Sequence, residues 1–81
     1  MRTTKRPTPR VQRIWAEAER EAEQRGHDYV GTEHLLKALA DDSRGAAGWM
    51  LLSLGVRDQL AVELEELLDS LTVGSHDGRE A

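Results

Sequence analysis

Residues 26–36 read GHDYVGTEHLL, and this stretch decides how the chain divides into helices. It lies between two segments whose apolar residues recur at the three- and four-residue spacing of an α-helix. Gly26 predicts the end of the first helix, because glycine adopts the left-handed conformation of a C-terminal cap without steric cost. Thr32 predicts the N-cap of the second helix, since its hydroxyl accepts a free backbone N–H. The stretch therefore predicts a tight connection between two helices.

The two helices on either side each have one apolar stripe. The first is predicted to begin with Thr8 as N-cap and Pro9 at the first helical position. Its apolar residues are Val11, Ile14, Trp15, Ala18 and Ala22, and its solvated face carries Glu17, Arg20, Glu21 and Gln24. The second is predicted to run from Glu33 to about Ala40. Its predicted buried residues are Leu35, Leu36 and Leu39.

Two further helices follow a polar turn. The third is predicted over residues 45–54 and the fourth over residues 58–71, with Gly55 ending the third. The predicted buried residues of the third are Ala46, Ala47, Met50, Leu51 and Leu54. Those of the fourth are Leu60, Leu64, Leu67, Leu68 and Leu71. Four helices with short links and no strand pattern predict an all-α, small four-helix bundle.

Length and charge indicate one small, cysteine-free domain. The 81 residues contain no cysteine, which excludes disulfides and thiolate metal sites. The net charge of −4 argues against general nucleic-acid binding. Basic residues nevertheless concentrate at the start of the chain, namely Arg2, Lys5, Arg6, Arg10 and Arg13. We expect residues 1–7 to be a disordered basic arm, residues 8–72 to form the helical domain, and residues 73–81 to be a flexible tail.

The sequence contains no pattern typical of a membrane protein or an enzyme. Its longest uncharged run, residues 45–56, is shorter than the about 20 residues needed to cross a bilayer, and no apolar block follows the basic start as in a signal peptide. A phosphate-binding GxxxxGK[ST] loop is absent, as is any nucleophile–base pattern. His27, His34 and His76 lack metal-ligand spacing, so we interpret them as capping or loop-packing residues. We therefore expect no enzymatic activity, no metal and no cofactor.

Residues 31–36, GTEHLL, resemble a signature of the Clp amino-terminal domain, with which Clp-type AAA+ unfoldases receive substrates and adaptors. The resemblance continues upstream over the residues 8–10 and downstream at Gly45, Leu51 and residues 54–56. A Clp amino-terminal domain normally contains two such repeats in tandem, whereas this chain has one. The chain thus resembles a free-standing, single-repeat member. The resemblance implies a protein- or peptide-binding module of the Clp protease system, located in a bacterial cytoplasm, whose partners are Clp-system proteins, adaptors or substrates.

The same resemblance implies a candidate ligand. In some Clp domains the glutamate of the GTEH word and the threonine near the start of the repeat help bind phosphorylated arginine, a degradation mark. By position these residues are Glu33 and Thr8. A carboxylate suits the guanidinium N–H groups, and a helix N-terminus suits the phosphoryl group. Arg10, one turn into the first helix, adds a positive charge. The structural alternative is that Glu33 and Thr8 only stabilise helix ends.

The third predicted helix has more apolar surface than a small bundle buries. Trp49 and Leu52 add apolar area on a side away from the predicted buried face, and a helix that is apolar all round is normally buried all round. We therefore expect a partner to cover Trp49. The alternative is that Trp49 packs onto the fourth helix or Val56. A second copy of the chain, paired about a two-fold axis, is the partner that the missing repeat suggests.

Three functional hypotheses follow. In the first, the protein captures marked substrates or adaptors of the Clp system, as an accessory factor or as a decoy. In the second, it is a structural module that dimerises or docks onto a Clp ATPase subunit through Trp49 and Leu52. The third is nucleic-acid binding by the basic arm, which the acidic balance and the lack of a stacking platform disfavour.

Overall fold

The computed structural model describes residues 5–73, which form four α-helices. In chain order, α1 spans Pro9–Gln24, α2 Thr32–Asp41, α3 Ala46–Ser53 and α4 Arg57–Val73. These residues contain no strand, so the predicted all-α fold is confirmed. The predicted basic arm and tail lie largely in residues 1–4 and 74–81, outside the described residues.

Both ends of α1 and the end of α3 are confirmed, and the other predicted helix ends lie within two residues of the observed ones. The Thr8 hydroxyl accepts the Val11 N–H at 3.2 Å and caps α1. Gly26 has φ +74° and follows the end of α1. The Gly26 N–H donates to the Glu23 carbonyl and the His27 N–H to the Ala22 carbonyl, at 3.0 and 2.9 Å. This pair of bonds is a Schellman motif, and Gly55 (φ +74°) ends α3 in the same way.

The predicted N-cap of α2 is wrong by one residue. Gly31, in an extended conformation, is the N-cap, and Thr32 is already the first helical residue. The reason lies at the third helical position, where His34 Nδ1 accepts the Gly31 N–H at 2.9 Å. The imidazole therefore holds the backbone of Gly31 against the start of α2, and the Thr32 hydroxyl is not needed there.

The bundle is organised around α2, which packs against each of the other three helices. Its core consists largely of small side chains, which let helices approach closely. The buried apolar residues are Ile14, Ala18, Ala22, Ala38, Ala40, Leu64 and Leu68. Three further residues, Val30, Leu35 and Leu39, pack against the cluster formed by Ile14, Ala18 and Ala38.

Several predicted core residues are more exposed than expected. On α2 the predicted Leu35, Leu36 and Leu39 are only partly buried, and the buried residues are Glu33, His34, Ala38 and Ala40. Because α2 contacts three neighbours, its buried area is distributed around the helix and not concentrated on its leucines. On α4, Leu64 and Leu68 are buried as predicted, whereas Leu67 is exposed. Val11 and Trp15, at the edge of the α1 stripe, are also exposed.

Candidate functional site

The N-terminus of α1 lies beside the turn between α2 and α3. Arg10 Nη1 donates to both carboxylate oxygens of Asp42, at 2.8 and 2.7 Å. The hydrogen bond from Arg10, opposed by partial burial, holds the pKa of the Asp42 carboxyl below its usual range. Thr8 and Arg10 line one cavity of about 250 Å³. Its apolar wall is formed by Val11, Ile14, Leu39, Ala46 and Ala47.

Glu33 lies in the first turn of α2 and is only 5% exposed. Its carboxylate packs against the backbone of Gly31, so closely that any side chain at position 31 would clash with it. Neither of its oxygens receives a well-formed hydrogen bond from the described residues. The Tyr29 hydroxyl is close enough that its pKa is raised, by burial first and by the Glu33 charge second. Glu33 is thus a buried carboxylate near an aromatic ring, and not a solvated helix-end charge.

The structure separates the residues of the predicted phosphoarginine site. Arg10 is bound to Asp42, directly after the C-terminal end of α2, whereas Glu33 is at its N-terminal end. At a rise of 1.5 Å per residue these two ends lie about 13 Å apart. Thr8 and Arg10 share a cavity that Glu33 does not line. One copy of the chain therefore brings Thr8 and Arg10 together but not Glu33.

The connection between α1 and α2 brings two histidines into direct contact. His27 Nδ1 and His34 Nε2 are 2.7 Å apart. The Tyr29 ring stacks on His27 with a centroid distance of 5.2 Å and meets the edge of His34 at 5.3 Å. Capping and loop packing, the roles predicted for these histidines, are both present, but their mutual hydrogen bond was not predicted. No periodic pattern marks it, because it depends on how the chain between the two residues turns.

Large apolar side chains of α3 and the turn after it are exposed. We define the α3 surface as Trp49, Met50, Leu52, Leu54 and Val56, which are between 44% and 66% exposed. The predicted buried face of α3 is therefore wrong: Met50 and Leu54 face solvent, and Gly48 is the buried residue of the helix. Trp49 is 58% exposed, so packing onto α4 or Val56, the alternative considered from the sequence, does not cover it.

Gly48 explains why α3 exposes so much apolar area. It lies against the carbonyl groups of Asp42 and Leu39 at the end of α2, where a Cβ atom would overlap backbone. This close approach anchors α3 by one narrow edge, and its substantial helix contact among the described residues is with α2. Among residues 5–73, no other helix packs against α3 closely enough to cover its remaining sides.

Within residues 5–73 no group of three or more potential ligand side chains is arranged to hold a metal ion. None of the helices described is both long and apolar enough to cross a membrane. The hydroxyls of Ser53 and Ser70 donate to the carbonyls of Trp49 and Leu67 on their own helices, at 2.8 and 2.7 Å. These two serines are thus engaged by the backbone and not by a base.

Comparison with known proteins gives consistent matches to one family. The family model for the Clp repeat N-terminal domain matches residues 6–81. The chain is 40% identical over 75 residues to the chloroplastic chaperone protein ClpC of Pisum sativum, covering 84% of this chain and 8% of that protein. It is 39% identical over 64 residues to the ATP-dependent Clp protease ATP-binding subunit ClpC of Staphylococcus epidermidis, covering 78% and 8%.

A third relative is the chaperone protein ClpB of Oceanobacillus iheyensis, 43% identical over 49 residues, which covers 60% of this chain and 6% of that protein. No solved structure gives a significant match. The chain thus spans less than a tenth of the length of these relatives, while the family model covers nearly all of the chain. This protein belongs to the Clp repeat N-terminal domain family.

Proposed function

We propose that this chain is a non-enzymatic module that binds proteins or peptides of the Clp protease system, capturing substrates or adaptors as an accessory factor or a decoy. The observation that carries the proposal is the α3 surface, where five large apolar side chains are exposed together. A patch of this kind on a small domain is typical of a protein-interaction site. Relatives whose names identify them as Clp chaperones and protease ATP-binding subunits indicate the system in which the partner is found.

The test replaces Trp49 with lysine and measures binding to a purified ClpC-type ATPase and to a Clp substrate protein by calorimetry. Burying a lysine in an apolar interface is costly, so we expect Trp49→Lys to weaken binding at least tenfold. Val62→Lys is the matched control, because Val62 on α4 is 57% exposed and lies outside the α3 surface. Equal binding by both variants and the unmodified protein would contradict the proposal.

The second candidate function is structural: the α3 surface pairs with a second copy or docks onto a Clp ATPase subunit without binding any ligand. Two observations favour pairing of copies. First, all residues of the α3 surface lie on one helix and the turn after it. Second, this surface exposes the aromatic Trp49 and the aliphatic Leu52, and large side chains of this kind often anchor interfaces. A two-fold pairing would cover both copies of the surface with one contact.

Light scattering at high micromolar concentration distinguishes pairing with a second copy of the chain from docking onto a Clp ATPase subunit. We expect a dimeric mass for the unmodified protein and for Val62→Lys, and a monomeric mass for Trp49→Lys. A monomeric mass for the unmodified protein would exclude pairing of copies, and the binding measurements with the ATPase and substrate would then identify the partner.

We further propose phosphoarginine as the mark recognised on captured substrates, through Thr8, Arg10 and Glu33. Support comes from the N-terminus of α1, whose dipole favours an anion and where Thr8 and the positively charged Arg10 lie within one turn. The buried Glu33 carboxylate, which lacks a well-formed hydrogen bond, also favours a cationic ligand. Because the two groups are at opposite ends of α2, this proposal requires Thr8 and Arg10 from one copy and Glu33 from another. It also requires the Glu33 carboxylate to rotate away from Gly31.

Calorimetric titration with free phosphoarginine, and with arginine as control, tests this proposal. We expect selective binding that Thr8→Ala and Glu33→Gln each weaken about tenfold, the effect of losing one charge-assisted hydrogen bond. Glu63→Gln, at an exposed position of α4, is the matched control. Absence of binding would reduce both residues to structural roles at helix starts.

We place the protein, with residues 8–72 as its folded domain, in a bacterial cytoplasm.

A further inference from the structure

Among residues 5–73, His34 is the most deeply buried ionisable residue, with 0% of its surface exposed. Its Nδ1 accepts the backbone N–H of Gly31 at 2.9 Å. A backbone N–H can only donate, so Nδ1 carries no proton and the neutral His34 ring holds its proton on Nε2.

The proton on His34 Nε2 determines the state of the second histidine. Nε2 lies 2.7 Å from His27 Nδ1, so Nε2 donates and His27 Nδ1 accepts. His27 Nδ1 therefore carries no proton, and the neutral His27 ring holds its proton on Nε2. The chain of hydrogen bonds runs in one direction, from the Gly31 amide through His34 to His27.

Neither ring can take up a second proton and keep this chain of bonds. A proton on His34 Nδ1 would face the Gly31 N–H, and the N-cap bond of α2 would be lost. A proton on His27 Nδ1 would face the Nε2 proton of His34. Each protonation thus replaces a hydrogen bond by two opposed donors inside a buried site. Gly31 and His27 border the connection between α1 and α2, so the two side-chain hydrogen bonds that join its ends both require neutral rings.

The charged groups around the pair come from every neighbouring element. Burial lowers the pKa of the His34 imidazole; the Glu33 charge on α2 opposes this, the neighbouring His27 adds to it, and Glu21 and Arg25 at the end of α1 act in opposite directions. On α4, Glu65 and Asp69 are bound to Arg25. Asp28 and Tyr29 complete the surroundings within the connection.

We propose that the His27–His34 pair is an acid-sensitive latch, which closes the α1–α2 connection at neutral pH and releases it when either ring is protonated. Linkage between proton binding and folding gives the direction of the pH dependence of stability. A histidine whose pKa is lowered by folding contributes stability that is present above the ordinary pKa of about 6.5. That contribution is lost as the pH falls from there through the pKa of the folded state.

Nuclear magnetic resonance on the whole chain tests the latch. Long-range proton–nitrogen spectra of the imidazoles report which ring nitrogen carries the proton, and amide exchange reports the Gly31 hydrogen bond. At pH 8 we expect both His27 and His34 with the proton on Nε2. Between pH 8 and pH 5 we expect the exchange of the Gly31 amide, corrected for its intrinsic pH dependence, to rise about tenfold as His34 is protonated.

Two variants separate the latch from a general effect of acid. Asparagine offers an oxygen near the position of Nδ1 but does not titrate, so His34→Asn should keep the Gly31 bond and remove the pH dependence of its exchange. His27→Asn keeps an acceptor for His34 Nε2 and tests the pair should His34→Asn fail to fold. His76→Gln is the control histidine and should change nothing. A proton on Nδ1 of His34 at pH 8, or corrected Gly31 exchange that is constant from pH 8 to pH 5, would overturn the proposal.

Discussion

The start of α2 and the α3 surface differ in which side chains they bury. Glu33 and His34, both ionisable, are buried, whereas Trp49 and Leu54, both strongly apolar, are exposed. The difference arises because α2 lies between three helices and α3 contacts the rest of the fold through the edge at Gly48. Burial in this domain therefore follows the position of a helix in the bundle more closely than the polarity of its residues. The exposed hydrocarbon of α3 is what a partner can use.

The largest expected change in stability comes from truncating a buried leucine, compared with truncating a leucine on the α3 surface. Leu68 on α4 is completely buried, so Leu68→Ala should lower the free energy of unfolding by about 2–5 kcal/mol. Leu54→Ala on the α3 surface should lower it by less than about 0.5 kcal/mol. Urea denaturation followed by circular dichroism measures both. Similar losses would mean that α3 is packed more tightly than its exposure indicates.

The junction between the regions can be broken at Gly48. Alanine favours a helix over glycine by about 1 kcal/mol, but a Cβ here overlaps the backbone at the end of α2. Overpacking costs about 1–3 kcal/mol, so we expect net destabilisation by about 1 kcal/mol and a displaced α3. Ser53→Ala, at an exposed position of the same helix, is the control. Denaturation together with Trp49 fluorescence measures the effect, and a stabilised Gly48→Ala variant would refute the close contact.

On the buried side, Arg25 ties the end of α1 to α4. Its guanidinium, 15% exposed, donates to Glu21, Glu65 and Asp69 at 2.6, 2.8 and 3.1 Å. Glu65 and Asp69 are solvent-exposed, so we discount the ion pairs and expect Arg25→Met to cost about 1 kcal/mol, less at high salt. Arg20, paired only with Glu17 among the described residues and largely exposed, is the control. Denaturation of Arg20→Met should show a change of less than about 0.5 kcal/mol; equal losses would contradict the special position of Arg25.

The smallest expected effect is on the ion pair between Arg10 and Asp42, which lies beside α3. Because the Arg10 hydrogen bond lowers the pKa of Asp42 on folding, the pair stabilises the fold above the ordinary aspartate pKa of about 3.9. That contribution disappears as the pH falls through the lowered pKa of the folded state. In a carboxyl titration by nuclear magnetic resonance, Arg10→Gln should raise the pKa of Asp42 toward its ordinary value. No change would show that Arg10 does not hold the carboxylate in solution.

Local signals in the sequence were sufficient for the helix ends. Thr8 with Pro9, Gly26 and Gly55 each act through hydrogen bonds to residues at most five positions away, so their roles do not depend on the rest of the fold. The prediction missed the N-cap of α2 by one residue because the His34 side chain, three residues on, accepts the Gly31 N–H and makes Gly31 the N-cap. Thr8, Arg10 and Glu33 could be named from a family motif, but the motif carries no distance between them.

By itself, then, the sequence determined that this chain forms four helices, where most of them end, and which family it belongs to, since capping and helical periodicity act over a few residues. Only the tertiary structure decided that Glu33 and His34 are buried, that His27 and His34 bond to each other, and that Met50 and Leu54 face outward. Each of these depends on how closely one helix can approach another. That approach is set by small residues such as Gly48 and Ala38, whose effect appears only when the helices pack.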